Sequence, residues 1–148
     1  MRIAIIEDDA YKSEDLHACV SEALPGATII SASDVSSGIK LIQSSEFNLV
    51  ILDIALPSHP IVPGGGAPMS LISGGIEVLF EIQSLNRSDP CVIVTQYPEI
   101  EITGEYFSTL EATSAIKINF DIDILGCIQY SEQSTRWKTE LKGYLEKI

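Results

Sequence analysis

Basic residues are scarce in this chain of 148 residues: 9 lysines and arginines stand against 21 aspartates and glutamates, a formal net charge of −12. A field of that sign repels nucleic-acid phosphates and anionic lipid headgroups, and there is no basic face to overcome it. Nucleic acid and membrane are therefore both excluded as expected partners. Long apolar runs are lacking too. The opening Met1-Arg2-Ile3-Ala4-Ile5-Ile6-Glu7 reaches an acid after four apolar residues, which suits neither a signal peptide nor a membrane span. Paired cysteines are missing, since Cys19, Cys91 and Cys127 stand singly in apolar settings with no CxxC. They read as buried thiols in a reducing, cytoplasmic compartment. What the chain has is apolar mass: 45% hydrophobic and 20% charged residues are the composition of a packed domain rather than of a disordered segment. The length suits one hydrophobic core, so a single domain over 1–148 is expected.

Short apolar runs at 2–6, 27–31, 49–52, 91–95 and 125–130 read as strands, and helical-period segments separate them. Leu16, Cys19, Val20, Ala23 and Leu24 repeat at helical spacing before Pro25-Gly26 stops the helix. Asp34 is placed to cap a second helix carrying Ile39, Leu41 and Ile42. A third begins near Gly75 with Ile76, Leu79 and Phe80, and the last aligns Trp137, Leu141, Tyr144, Leu145 and Ile148 on one stripe. Alternation of this kind implies crossover units, hence an α/β fold with a doubly wound parallel sheet of five strands. Two long stretches interrupt the rhythm. The loop at 58–74 holds Pro60, Pro63, Pro68 and Gly64-Gly65-Gly66, a composition expected to form no regular element, and 96–124 is longer than one helix requires, with a helix expected around 105–115.

A parallel sheet opens the carboxyl ends of its strands on one edge, and ligands bind there. The first strand ends in Glu7-Asp8-Asp9 and the third in Asp53. If these strands are neighbours, their carboxylates converge and repel one another unless a cation is present. Mg²⁺ suits such a site, being a hard ion that takes one or two carboxylates, several waters and a phosphate oxygen. Thr95 ends the fourth strand at the matching edge, with a hydroxyl able to hydrogen-bond a phosphoryl oxygen. Asp9 reads as a helix N-terminal residue favoured by the macrodipole. His17, His59, Asp121 and Asp123 read as surface or loop residues, and Trp137 and Tyr144 as core.

The runs IIEDD at 5–9, LVILDIALP at 49–57 and VIVT at 92–95 resemble the receiver domain of two-component response regulators. The resemblance covers 1–57 and about 75–95 well, and the final helix loosely. It implies a flavodoxin-like sheet of order 2-1-3-4-5, a phosphoacceptor aspartate at Asp53, and Mg²⁺ held by Glu7, Asp8, Asp53 and the backbone carbonyl of Ala55. It also implies a phosphoryl-sensing hydroxyl at Thr95. A histidine kinase or phosphotransfer protein would be the donor and a downstream effector protein the reader; homodimerisation through the fourth and fifth units, a common contact face in the family, is left open. One departure matters. The family ends its fifth strand with a lysine that pairs with the phosphoryl group, whereas here Tyr130 is followed by Ser131. Lys117, 22 residues after Thr95, is the remaining candidate for that phosphate partner, although no proline follows it.

Two readings of the chain stay open: a phosphorylatable receiver, and a receiver-like interaction module that works without phosphorylation. A phosphohydrolase of the haloacid-dehalogenase kind also uses an aspartate after a strand, but it needs a second aspartate two positions on, where this chain has Ala55.

Overall fold

The computed structural model describes residues 1–60, 63–64, 70–71 and 73–148. In chain order the elements are β1 (Arg2–Ile6), α1 (Ala10–Ala23), β2 (Thr28–Ala32), α2 (Val35–Ser44), β3 (Leu49–Leu52), β4 (Leu56–Pro57) and β5 (Ser70–Leu71). They are followed by α3 (Gly74–Ser84), β6 (Cys91–Thr95), β7 (Glu99–Ile102), β8 (Glu105–Ser108), α4 (Thr109–Phe120), β9 (Gly126–Gln129) and α5 (Arg136–Leu145). The five short apolar runs form one parallel sheet in the order β2-β1-β3-β6-β9, the doubly wound α/β architecture expected from the sequence.

Alternation along each strand divides the core in two, because successive side chains leave opposite faces of a sheet. Ile3 and Ile5 of β1 pack with Leu16, Cys19 and Val20 of α1 and with Trp137, Leu141 and Leu145 of α5. Ala4 and Ile6 face the other way, into the cluster that also holds Ile42 of α2, Ile76 and Leu79 of α3, and Ala112 and Ile116 of α4. Strands buried on both faces need apolar residues at every position, which is why β3 reads Leu-Val-Ile-Leu and β6 is buried throughout. Each large aliphatic side chain so enclosed contributes about 1.5–3 kcal/mol. Among the described residues no helix is long and apolar enough to cross a membrane.

Both interruptions contain structure that composition did not announce. Thr103 and Gly104 adopt positive φ (53° and 82°), the backbone of a two-residue hairpin turn, so β7 and β8 pair antiparallel from Glu99↔Ser108 to Ile102↔Glu105. The helix expected around 105–115 accordingly starts later, at Thr109, where Ser108 and Glu111 form a reciprocal capping box. It runs to Phe120 and stops at Asp121, which is left-handed at φ 55°. The base of the loop expected to be irregular is tied by Leu56↔Leu71 and Pro57↔Ser70. Gly65, Gly66 and Pro68 lie outside the described residues. Of the cysteines, Cys19 and Cys91 are buried as expected and Cys127 is half-buried.

Candidate functional site

The register of β1 on β3 aligns Ile6 with Leu52, so the residues that follow each strand, Glu7 and Asp53, emerge side by side at the carboxyl edge. The chain holds them there through its backbone: Asp53 N–H donates to Ile6 O and Glu7 N–H to Ala32 O, both at 2.9 Å. Glu7, Asp8 and Asp53 each present a carboxylate oxygen within 4.8 Å of the others. Glu7 and Asp53 are buried and Asp8 is exposed, which leaves the cluster open on one side.

Removal from water dominates the electrostatics. Burial, reinforced by the charge on Asp53 and opposed by Lys12, pushes the Glu7 carboxyl up to about 7. Asp8 is raised as well, first by burial and then by Asp53. Glu7 Oε1 accepts the Asp9 N–H at 2.9 Å, while its buried Oε2 has no hydrogen bond. Asp53 Oδ1 accepts the Ala55 N–H at 3.3 Å, which sets the Ala55 peptide beside the carboxylate. Three convergent hard oxygen donors, two of them on buried carboxylates, fit a small divalent cation.

Glycine is required behind the site. Gly75, at the start of α3, donates its N–H to Ile54 O at 2.8 Å. A Cβ at this position would overlap the Asp53 carbonyl oxygen and stand 2.9 Å from Ile54 Cα. Only a residue without a side chain lets the helix close on the backbone that carries Asp53.

Thr95 ends β6 beside β3, two residues beyond the Leu52↔Ile93 pair and on the same edge as Asp53. It is fully buried, and its Oγ1 accepts the Tyr97 N–H at 3.2 Å, a use of the oxygen that leaves the O–H free to donate. Asp9 caps α1, accepting the Lys12 N–H at 2.9 Å, as its sequence position implied. Lys117 is not brought to the cluster. It lies in the last turn of α4 and pairs with Asp121 and Asp123 at 2.8 Å each, in the segment leading to the amino end of β9 and hence at the opposite edge of the sheet. The acids that follow α4 draw it there.

A residue the sequence reading passed over completes the site. Lys12, in the first turn of α1, is fully buried, with Nζ 2.5 Å from Glu7 Oε2 and 2.9 Å from Asp53 Oδ2. Nζ makes no aligned hydrogen bond, so the attraction is one of charge at close range. The Tyr130 ring lies over it, its centroid 5.9 Å from Nζ, and the Tyr130 hydroxyl donates to Asp15 Oδ2 at 2.7 Å. The signal was present: Lys12 continues the apolar stripe of Leu16, Cys19 and Val20 one turn toward the acids.

Comparison with known proteins places this geometry. No family model matches the chain. It is 34% identical over 147 residues to the Detocs response regulatory protein DtcB of Vibrio alginolyticus, across 97% of this chain and 99% of that one. Among solved structures it superposes on a CheY-like response regulator receiver domain protein from Methanospirillum hungatei with a TM-score of 0.64, at 20% identity over 99% of this chain and 94% of that one. It also superposes on the receiver domain of a sensor histidine kinase from Pseudomonas aeruginosa, described with a magnesium ion coordinated in its active-site cleft. There the TM-score is 0.59, at 13% identity over 99% and 94% of the two chains.

Proposed function

Because the chain belongs to the family of response regulatory proteins typified by DtcB, we propose that it is a phosphorelay receiver in which Asp53 accepts a phosphoryl group with the help of Mg²⁺. The observation that carries this reading is the convergence of Glu7, Asp8 and Asp53 within 4.8 Å at the carboxyl edge of a parallel sheet.

The chemistry follows from the residues. An Asp53 carboxylate oxygen attacks phosphorus of a phosphohistidine donor; the new O–P bond forms as the N–P bond breaks, and the electron pair leaves on the imidazole, which solvent protonates. Glu7, Asp8, Asp53 and the backbone carbonyl of Ala55 would hold Mg²⁺, which neutralises charge on the transferred oxygens. The Thr95 O–H donates to a phosphoryl oxygen. Exchanging the single charge of Asp53 for about −1.5 to −2 on the phosphoryl group then biases the neighbouring segments between two arrangements, and the altered surface is read by an effector protein. A histidine kinase or phosphotransfer protein supplies the group. The strongly acidic chain argues against a nucleic-acid partner.

One observation favours the second reading, a receiver-like module that works without phosphorylation: β9 ends in Gln129 and is followed by Tyr130 and Ser131, with no lysine to meet a phosphoryl group. A single assay separates the two. With Mg²⁺ and acetyl phosphate, the wild type is expected to gain the mass of one phosphoryl group and Asp53→Asn none. Absence of any mass gain, together with no beryllofluoride response in the presence of Mg²⁺, would eliminate the phosphoacceptor reading in favour of the interaction module.

A further inference from the structure

Among the basic residues Lys12 alone is fully buried, and it is placed against the carboxylate that would react. Its position has a structural cause. Asp9 caps α1 through the Lys12 N–H, which fixes the first turn, and the packing of Leu16, Cys19 and Val20 on β1 and β3 turns the same helix face toward the strand ends. A lysine on that face directs its four-carbon stem along the sheet to the carboxyl edge. Tyr130 closes over it at the end of β9.

We propose that Lys12 is the cation that binds the transferred phosphoryl group, a catalytic role delivered from the first turn of α1 instead of from the end of the last sheet strand. The assignment rests on the phosphoacceptor reading of Asp53. Charge and geometry support it. Three carboxylates face one ammonium, and a divalent ion added to that group brings it to neutrality. Phosphorylation replaces the single negative charge of Asp53 with about two on the phosphoryl oxygens. Those oxygens need donors in a space where water is largely excluded, since an unpaired buried charge is costly. Lys12 Nζ, already 2.9 Å from Asp53 Oδ2 and without an aligned hydrogen bond, carries three N–H donors on a flexible stem. A change of rotamer transfers it from the carboxylate to a phosphoryl oxygen without moving the helix.

The competing role is that of a plug, in which Lys12 only neutralises Glu7 and Asp53. Mg²⁺ and beryllofluoride affinities of the whole protein and of Lys12→Met separate the two. Removing a resident cation should leave Mg²⁺ affinity equal or tighter under either role. Binding of the phosphoryl mimic at saturating Mg²⁺ should weaken about ten- to a hundredfold if Lys12 holds the phosphoryl group, the range expected for a hydrogen bond to a charged group. Unchanged beryllofluoride affinity in Lys12→Met overturns the proposal while leaving the phosphoacceptor reading intact. Failure of the wild type to bind beryllofluoride at all overturns both. A second measurement needs no variant: in wild type with ¹⁵N-labelled lysine side chains, one ammonium resonance should shift and slow its exchange when beryllofluoride is added to the Mg²⁺ form. No such change would refute the assignment even if Lys12→Met failed to fold.

Discussion

Replacing Asp53 by asparagine should raise the melting temperature of the metal-free protein, and the gap should narrow once Mg²⁺ is added. In the metal-free protein Asp53 is attracted by Lys12 at 2.9 Å, worth about 6 kcal/mol at an effective dielectric constant of about 20. It is repelled by Glu7, whose oxygen lies within 4.8 Å, by about 3.5 kcal/mol on the same scale. Asp8 adds about 2 kcal/mol after a discount for its exposure. Attraction and repulsion nearly cancel, so the outcome turns on the cost of keeping an ionised carboxylate buried, several kcal/mol per ion. Asparagine avoids that cost, keeps an oxygen that can accept from Lys12, and leaves Lys12 paired with Glu7 at 2.5 Å. The variant should thus gain roughly 1–2 kcal/mol, about 2–6 °C in melting temperature for a chain of this length. Adding Mg²⁺ at ten times its Kd stabilises the wild type by about 1.4 kcal/mol, and Asp53→Asn, with one donor weakened, should gain less. Thermal melts above pH 8, where Glu7 is ionised, in low-salt buffer with chelator and then with Mg²⁺, read both effects. If the asparagine variant melts below wild type without metal, or if Mg²⁺ shifts the two proteins equally, the shared carboxylate site described here is wrong.

Two further outcomes follow from the same geometry. Glu7, raised by burial from 4.5 to about 7, holds a proton in the folded metal-free protein that the unfolded chain has already released. Metal-free stability should therefore fall as pH rises from about 4.5 to about 7, by at most about 3 kcal/mol, and level off above. Urea titrations across that range check the sign, and a rise in stability would contradict it. Gly75→Ala places a Cβ against the Asp53 carbonyl and Ile54 Cα, which are backbone atoms with little room to yield. It should cost about 1–3 kcal/mol and depress acetyl phosphate labelling of Asp53. Parental stability and labelling rate would show that α3 does not back the site as described.

Much of the site was legible because its signals are local. Glu7, Asp53 and Thr95 each end an apolar run and Asp8 follows Glu7 directly, and a run of that kind in an alternating chain marks a strand whose last residue lies at the binding edge. The hairpin was harder to see. Its turn, Thr103-Gly104, has none of the usual asparagine or aspartate, and Ile100 and Ile102 are its only fully buried apolar pair. Lys117 misled for a related reason: sequence distance from Thr95 carries no information about which acids stand beside the lysine once α4 has formed, and Asp121 and Asp123 claim it.

The sequence by itself determined the five-stranded α/β architecture and the order of acids along the chain, because strand and helix periodicities are written in contiguous residues. The tertiary structure alone decided which cation meets those acids. Lys12 and Asp53 belong to different elements, and their approach depends on α1 packing across β1 and β3 in one rotation. Helix rotation is set by the summed fit of side chains on two surfaces, so the local pattern places Lys12 on the apolar face of α1 but does not say that its ammonium reaches the carboxyl end of β3.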